Sequence, residues 1–511
     1  MRGLKYSLLL VFVLFTLPSI ADNSRMKTLS EIKNYTQENQ QQILQDFTSL
    51  LALPNVSANT QDMLDNAKWI TNYIAQRGFI SEVVSAGRAP YILAEKSVPG
   101  ATKTILIYAH FDGQPVEPAN WATPPFTPTL IDKPIERGGK PVDWDGKSPL
   151  NPEWRLAARS AGDDKAPVIA LMAALDAMEA HNVAPSVNIK LILDGEEEVG
   201  SPTLEAILQE HGDKMTADLM LFCDGPMHPS RNKQLVFGMR GSMTVDITTY
   251  GAVSPLHSGH YGNFSPNPTD GLMRLLTSMT DEQGTILIDG YNDEVRPISE
   301  VERQAIANIP AVDEQLKYDL AIAESLGKTV RVEEGVLSPA IIVKGLQAGG
   351  VGDQARNIIQ SEATASINMR LAADQTPAFL RKKMEAHIKN QGYTIVHEPP
   401  SVKLRRENSK VVMLDWRAGA YPAFRSKIDS PQAKKLAAIM NSMDEQTTIL
   451  TPTLGGSLPI YLFEQALNMP IIILPIANHD NNQHGRNENL RLQNLWDAVA
   501  IYAAILSEYD R

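Results

Sequence analysis

Between residues 42 and 51, Ile43, Leu44, Phe47, Leu50 and Leu51 recur at helical spacing, and Leu64, Ala67, Ile70 and Ile74 do the same between 61 and 77. That spacing puts the apolar side chains on one face, so both stretches predict amphipathic scaffold helices. The chain then alternates: a strand is expected at 104–109, a helix at 167–181, a strand at 187–193, a helix from Pro202 and a strand at 219–223. Apolar runs of strand length separated by helices predict an α/β fold, a mainly parallel sheet with helices packed on both faces.

The pattern changes from about residue 234. Met243, Val245 and Ile247 alternate with polar residues, followed by an expected helix at 270–280, an alternating strand at 363–371, a helix at 377–391 and a strand at 393–397. Half-solvated strands interleaved with helices predict a smaller, inserted α+β domain. The chain is expected to return to the first domain near 406 and to end with a buried strand at 471–474 and a helix at 490–506. The resulting partition is a discontinuous catalytic domain, 22–233 with 406–511, and a lid at 234–405. Residues 115–153, rich in Pro, Trp, Asp and Gly, read as an insertion at the cleft rim.

At 511 residues the chain exceeds a single ordinary core, in keeping with that division. Arg2 and Lys5, the apolar stretch 7–17 and then Pro18-Ser19-Ile20-Ala21 follow the three-part plan of a secretory signal, with cleavage expected after Ala21. A dozen or so apolar residues fall short of the ~20 that span a bilayer, so the expectation is export to the periplasm or medium with no stable membrane span. The net charge of −12, with no basic stripe, excludes a nucleic-acid binder. Cys223 is the single cysteine, which rules out an intramolecular disulfide and reads as a small buried hydrophobe.

Three segments carry candidate chemistry: His110-Phe111-Asp112, Asp163-Asp164-Lys165 and Glu196-Glu197-Glu198. Each alone has an ordinary explanation. A lone histidine is commonly a satisfied surface or core residue, an Asp pair caps a helix, and glutamates complement a helix N-terminus. Their placement alters the balance, because His110, 194–198 and Asp224 fall beyond the carboxyl ends of expected strands, where open α/β sheets build their sites. Carboxylates crowded there repel unless cations neutralise them. A two-metal hydrolase needs a bridging carboxylate, histidine and carboxylate ligands for each ion, and one more carboxylate to take a proton from water. The chain has a candidate for every role.

Seven stretches, in order, resemble the dinuclear zinc exopeptidase family of carnosinase, cytosolic dipeptidases, aminoacylase, acetylornithine deacetylase and glutamate carboxypeptidase. They are Ala109-His110-Phe111-Asp112-Gly113-Gln114-Pro115, Arg159-Ser160-Ala161-Gly162-Asp163-Asp164-Lys165-Ala166, Asp194-Gly195-Glu196-Glu197-Glu198-Val199-Gly200-Ser201, Phe222-Cys223-Asp224, Leu256-His257-Ser258-Gly259, Gly455-Gly456-Ser457-Leu458-Pro459 and His484-Gly485-Arg486-Asn487-Glu488. The resemblance covers nearly everything after the signal. It implies two divalent ions, zinc first with manganese or cobalt as alternatives, one held by His110 and Asp224, the other by Glu198 and His484, and both bridged by Asp163. It further implies Asp112 behind the His110 ring, Glu197 as general base, a cis Asp163-Asp164 peptide, and His257 as a lid histidine that polarises the scissile carbonyl, often from the partner subunit of a homodimer joined through the lid. His479 competes with His484 for the last ligand, and the residues after His484 favour His484.

Arg370 shares the polar face of its strand with Thr364, Ser366 and Asn368. A solvated arginine is the plain reading; the resemblance implies a clamp on the substrate carboxylate, assisted by Gly456 and Ser457. Ser160, Ala166 and Asn263 stand where the family commonly has glycine, and they bear on the pocket more than on the ligands. The expected enzyme is an exopeptidase acting on dipeptides or short peptides with a free C-terminal carboxylate, or alternatively a deacylase of N-acyl amino acids. A glycosidase built on paired carboxylates would leave His110 and His484 without a role, and a binding protein that had lost catalysis would lack ligands.

Overall fold

Strand Thr104–His110 sends Ile105, Ile107 and Ala109 into one apolar cluster and Leu106 and Tyr108 into another. Successive side chains on a strand point to opposite faces, so this strand is covered on both sides. Helices Ala166–Ala180 and Leu492–Glu508 pack on the first face, and Leu204–His211 and Ile460–Leu467 on the second. The computed structural model describes residues 20–327, 331–456 and 458–511. The expected signal segment, except its last two residues, and Ser457 lie outside the described residues.

The eight-stranded sheet runs in the order Ile80–Val84, Tyr91–Lys96, Asn188–Asp194, Thr104–His110, Leu219–Phe222, Ile471–Ile473, Gln234–Val236, Ile449–Thr451. The expected parallel centre is present: Asn188–Asp194, Thr104–His110, Leu219–Phe222 and Ile471–Ile473 pair in parallel. Antiparallel pairings flank it on both sides, so the whole sheet is mixed. The parallel centre sets the site, because the carboxyl ends of three adjacent strands deliver His110, Asp194 and, two residues past Phe222, Asp224 to one edge.

The smaller inserted domain is a five-stranded sheet in the order Ala340–Gln347, Glu362–Leu371, Gly241–Tyr250, Val411–Trp416, Thr394–Val396. Val245, Ile247, Ile367 and Met369 on its inner face meet Leu272 and Leu275 of helix Pro268–Thr277 and Leu380, Met384 and Ile388 of helix Pro377–Asn390. Strand membership corrects the expected boundaries at 234 and 406. Gln234–Val236 belongs to the larger sheet, whereas Val411–Trp416 pairs with Gly241–Tyr250 in the smaller one. Short apolar stretches such as these are compatible with a strand but say nothing of which partner each will find.

The 115–153 insertion is anchored near the site. Thr129–Ile131 pairs with Arg155–Ala157, which pairs with Asn489–Arg491. Among the described residues no helix is long and apolar enough to cross a membrane. Cys223 is free and fully buried, as a small core residue.

Candidate metal centre

Two groups of ligand-type side chains meet at the sheet edge. His110, Asp163 and Asp224 form one, Asp163, Glu198 and His484 the other, each with its ligand atoms within 4.8 Å of one another. His110 Nε2 lies 2.8 Å from Asp163 Oδ1 and 3.9 Å from Asp224 Oδ2. His484 Nε2 is 3.2 Å from both Asp163 Oδ2 and Glu198 Oε2. Asp163 therefore faces both groups, one oxygen to each histidine.

The residues fit a pair of divalent ions. Glu198 Oε1 is buried without a hydrogen-bond partner, which is costly for a carboxylate unless a cation takes the lone pair. Burial, then the charge of Asp163, pushes Glu198 up to about 8 and Asp224 up to about 6. Burial also pushes Glu197 well above the carboxylate range; Asp224, Glu198 and Asp163 add to the rise and His110 opposes it. Burial would raise Asp163 too, but the bonds from His110 and His484 hold it well below its ordinary value. Such mutual repulsion is what cations relieve, and mixed imidazole and carboxylate donors suit zinc, with manganese and cobalt as alternatives.

The surrounding shell is more extensive than the sequence motifs indicate. Asp112 lies 3.2 Å from His110 Nδ1, and its two oxygens accept the backbone N–H groups of Glu197 at 3.1 Å and Glu198 at 3.0 Å. It thus fixes the turn carrying both glutamates as well as standing behind the ring. Gln114 Nε2 donates to Glu198 Oε2 at 2.8 Å. Glu488, with no surface exposed, accepts from the backbone N–H of Gly162 and Asp163 on one oxygen, and from Ser160 N–H and the Arg159 guanidinium on the other. Lys165 is buried and donates to the Leu50 and Leu53 carbonyls, tying the same loop to the first helices. The Asp163-Asp164 peptide is cis.

Glu197 is next to Glu198 and acts electrostatically with four of the ligand-type residues. His257 is apart from both groups and exposed at the surface of this chain. Its Nδ1 accepts the Gly259 N–H at 3.1 Å, which leaves Nε2 to carry the hydrogen of the neutral ring. Arg370 is half-buried on strand Glu362–Leu371, and Gly456 accepts the Arg240 backbone N–H. His479 lies 4.0 Å from Asp480 and belongs to neither group.

Sequence reasoning assigned no role to Glu488 and Gln114, although both lie inside quoted motifs. For Glu196 the sequence carries no signal, since only the fold brings the Tyr91 hydroxyl to it at 3.0 Å.

A family model described as peptidase family M20/M25/M40 matches residues 106–508. The Cys-Gly metallodipeptidase of Saccharomyces cerevisiae is 25% identical over 494 residues, covering 92% of this chain and 95% of its own. The human Beta-Ala-His dipeptidase is 24% identical over 428 residues, covering 82% of this chain and 77% of its own. Among solved structures, an M20 family metallo-carboxypeptidase from Sulfolobus solfataricus shares the fold with a TM-score of 0.74 at 24% identity, over 92% of this chain and 99% of that one. Human carnosine dipeptidase 1 shares it with a TM-score of 0.69 at 22% identity, over 94% and 99%. With the family model spanning most of its length and two ligand groups sharing one carboxylate, this chain belongs to peptidase family M20/M25/M40 and is a metal-dependent hydrolase.

Proposed function

We propose that the protein is an exported, homodimeric exopeptidase that hydrolyses the amide bond of dipeptides or short peptides bearing a free C-terminal carboxylate. The observation that carries the reading is the sharing of Asp163 between the two ligand groups, with Glu197 beside them and in neither. His110 and Asp224 would hold one ion and Glu198 and His484 the other, with Asp163 common to the two groups. When bound, the ions polarise the scissile carbonyl and lower the pKa of water to about 7. Glu197 takes a proton from the attacking water and returns it to the leaving nitrogen. Asp112 keeps that carboxylate and Glu198 in register through their backbone amides.

His257 donates from Nε2 to the oxyanion that forms on the carbonyl, and its exposure on this chain favours delivery across a dimer. Arg370 takes the substrate carboxylate, assisted by Gly456. The activities named for the Saccharomyces and human relatives support dipeptides as the substrate class. The N-terminal pattern of Arg2, Lys5 and the following apolar stretch supports export.

The deciding experiment is a screen of the mature chain, loaded with zinc, manganese or cobalt, against dipeptides, their C-terminal amides and acetylated amino acids. Turnover of free dipeptides that EDTA abolishes is the expected result. Turnover confined to acetylated amino acids would make the enzyme a deacylase instead.

A further inference from the structure

Of the five ligand-type side chains only His484 is exposed, with 58% of its side chain accessible against 3% or less for the other four. It stands in a loop of unusual backbone. The Gly485 N–H donates to the Asn482 carbonyl at 2.9 Å and closes a turn in which His484 is the third residue, at a left-handed φ of 60°. That position favours glycine, so a histidine there is strained. Asn482 and Asn487, on either side, also lie in the left-handed region at φ 58°, a conformation asparagine tolerates. Backbone of this kind persists where its surroundings over-determine it.

The surroundings are supplied by the 115–153 insertion. Glu136, in the short helical turn Ile135–Arg137, accepts Asn482 Nδ2 on one oxygen and Asn487 Nδ2 on the other, both at 2.8 Å. One carboxylate therefore spans the loop from one side of His484 to the other. The Ala122 backbone N–H adds a bond to Asn487 Oδ1 at 2.8 Å. Arg159 Nη2 donates to the Gly485 carbonyl at 3.1 Å, and its guanidinium lies 5.1 Å from the centre of the Trp121 ring. A surface carboxylate bonded to asparagines is ordinarily a simple loop tie. Here the two amides flank the one exposed ligand-type residue.

We propose that Glu136 is a positioning residue for His484, through which the insertion sets how tightly the ion of the Glu198 and His484 group is held. A carboxylate accepts from both amides at once, whereas a carboxamide in its place would turn a donor toward one of them. Groups that stand behind a metal ligand fix its orientation, and their loss commonly weakens the metal 10- to 100-fold. This role rests on the reading of His484 as a ligand.

The test is a chelator competition titration of the zinc-loaded protein, resolving the two dissociation steps, on the parent, Glu136→Ala, Glu136→Gln and His484→Ala. In Glu136→Ala one step is expected to weaken about 10-fold or more while the other keeps the parent value, with Glu136→Gln in between. His484→Ala should lose that same step outright. With cobalt in place of zinc, Glu136→Ala should alter the visible absorption of one ion and leave that of the other. Parent affinity at both steps in Glu136→Ala, or weakening of both alike together with a lower melting point of the metal-free chain, would overturn the proposal. If His484→Ala kept both ions, the ligand reading would fall and this role with it. If His484→Ala lost one ion while Glu136→Ala held both as the parent does, the role of Glu136 alone would fall.

Discussion

Glu488 Oε1 accepts the backbone N–H of Asp163 at 3.0 Å, so an acid near the end of the chain holds the loop that carries the carboxylate common to both ligand groups. Its second oxygen receives Arg159 Nη1 at 2.7 Å, and that guanidinium is also buried. Glu488→Gln removes the negative partner and leaves the Arg159 charge enclosed. The expected cost is about 3 to 5 kcal/mol of unfolding free energy in denaturant titration, with weaker metal retention. A loss below about 1 kcal/mol would show that the loop is held by other means.

Glu197→Gln preserves shape and removes the proton acceptor. Metal content and melting temperature should match the parent, while kcat falls by about 10²-fold or more. Activity close to that of the parent would exclude Glu197 as the base.

Substitutions at the two groups should separate by metal stoichiometry. Asp224→Ala removes a side chain from one group, and Asp163→Ala removes one from both. Elemental analysis after dialysis is expected to find about one ion per chain retained by the first variant and close to none by the second. Equal stoichiometry in the two variants would contradict a shared carboxylate.

Asp480 provides a pH-dependent contribution away from the ligand groups. Arg155 donates to its two oxygens at 3.0 and 2.8 Å, and Arg491 approaches at 3.5 Å. Burial alone would raise this carboxyl, but the bonds and charge of Arg155 outweigh it and hold it well below the usual range. The folded pKa is therefore lower than the unfolded value of about 3.9, so the stabilisation is complete above that pH and is lost as pH falls toward the folded value. Asp480→Asn should be less stable than the parent by about 3 kcal/mol at pH 7 in urea titrations, a gap that closes progressively below about pH 4. A gap independent of pH would exclude the charge as its source.

Much of the site was legible because Thr104–His110 and Leu219–Phe222 are covered on both faces and read as apolar runs, so a polar residue at the end of such a run marks a strand end. His110 and Asp224 were readable on that ground without any family resemblance. The place of Asp163 was not, since its backbone N–H donates to Glu488, 325 residues away in sequence. The second function of Asp112 escaped for the same reason: backbone amides carry no sequence signature, so an acceptor for Glu197 and Glu198 cannot be identified from side chains. In the smaller domain, Val411–Trp416 opens with a continuous apolar run, Val411-Val412-Met413-Leu414, and only tertiary pairing assigns it to that sheet. Helix Glu300–Asn308 was missed although Ser299 and Glu302 form a reciprocal capping box, a signal present in the sequence.

The bond from Glu488 to the Asp163 loop has a consequence for the order of events in synthesis. Every residue of the group His110, Asp163 and Asp224 emerges in the first half of translation, but the brace that shapes its loop arrives only with the last few dozen residues, together with His484. A nascent chain therefore has acids for an ion long before it has the geometry to retain one. Maturation is a late step, and truncation upstream of His484 removes the brace, a ligand-type histidine and helix Leu492–Glu508, which covers one face of the main sheet, so it should yield no competent reaction centre.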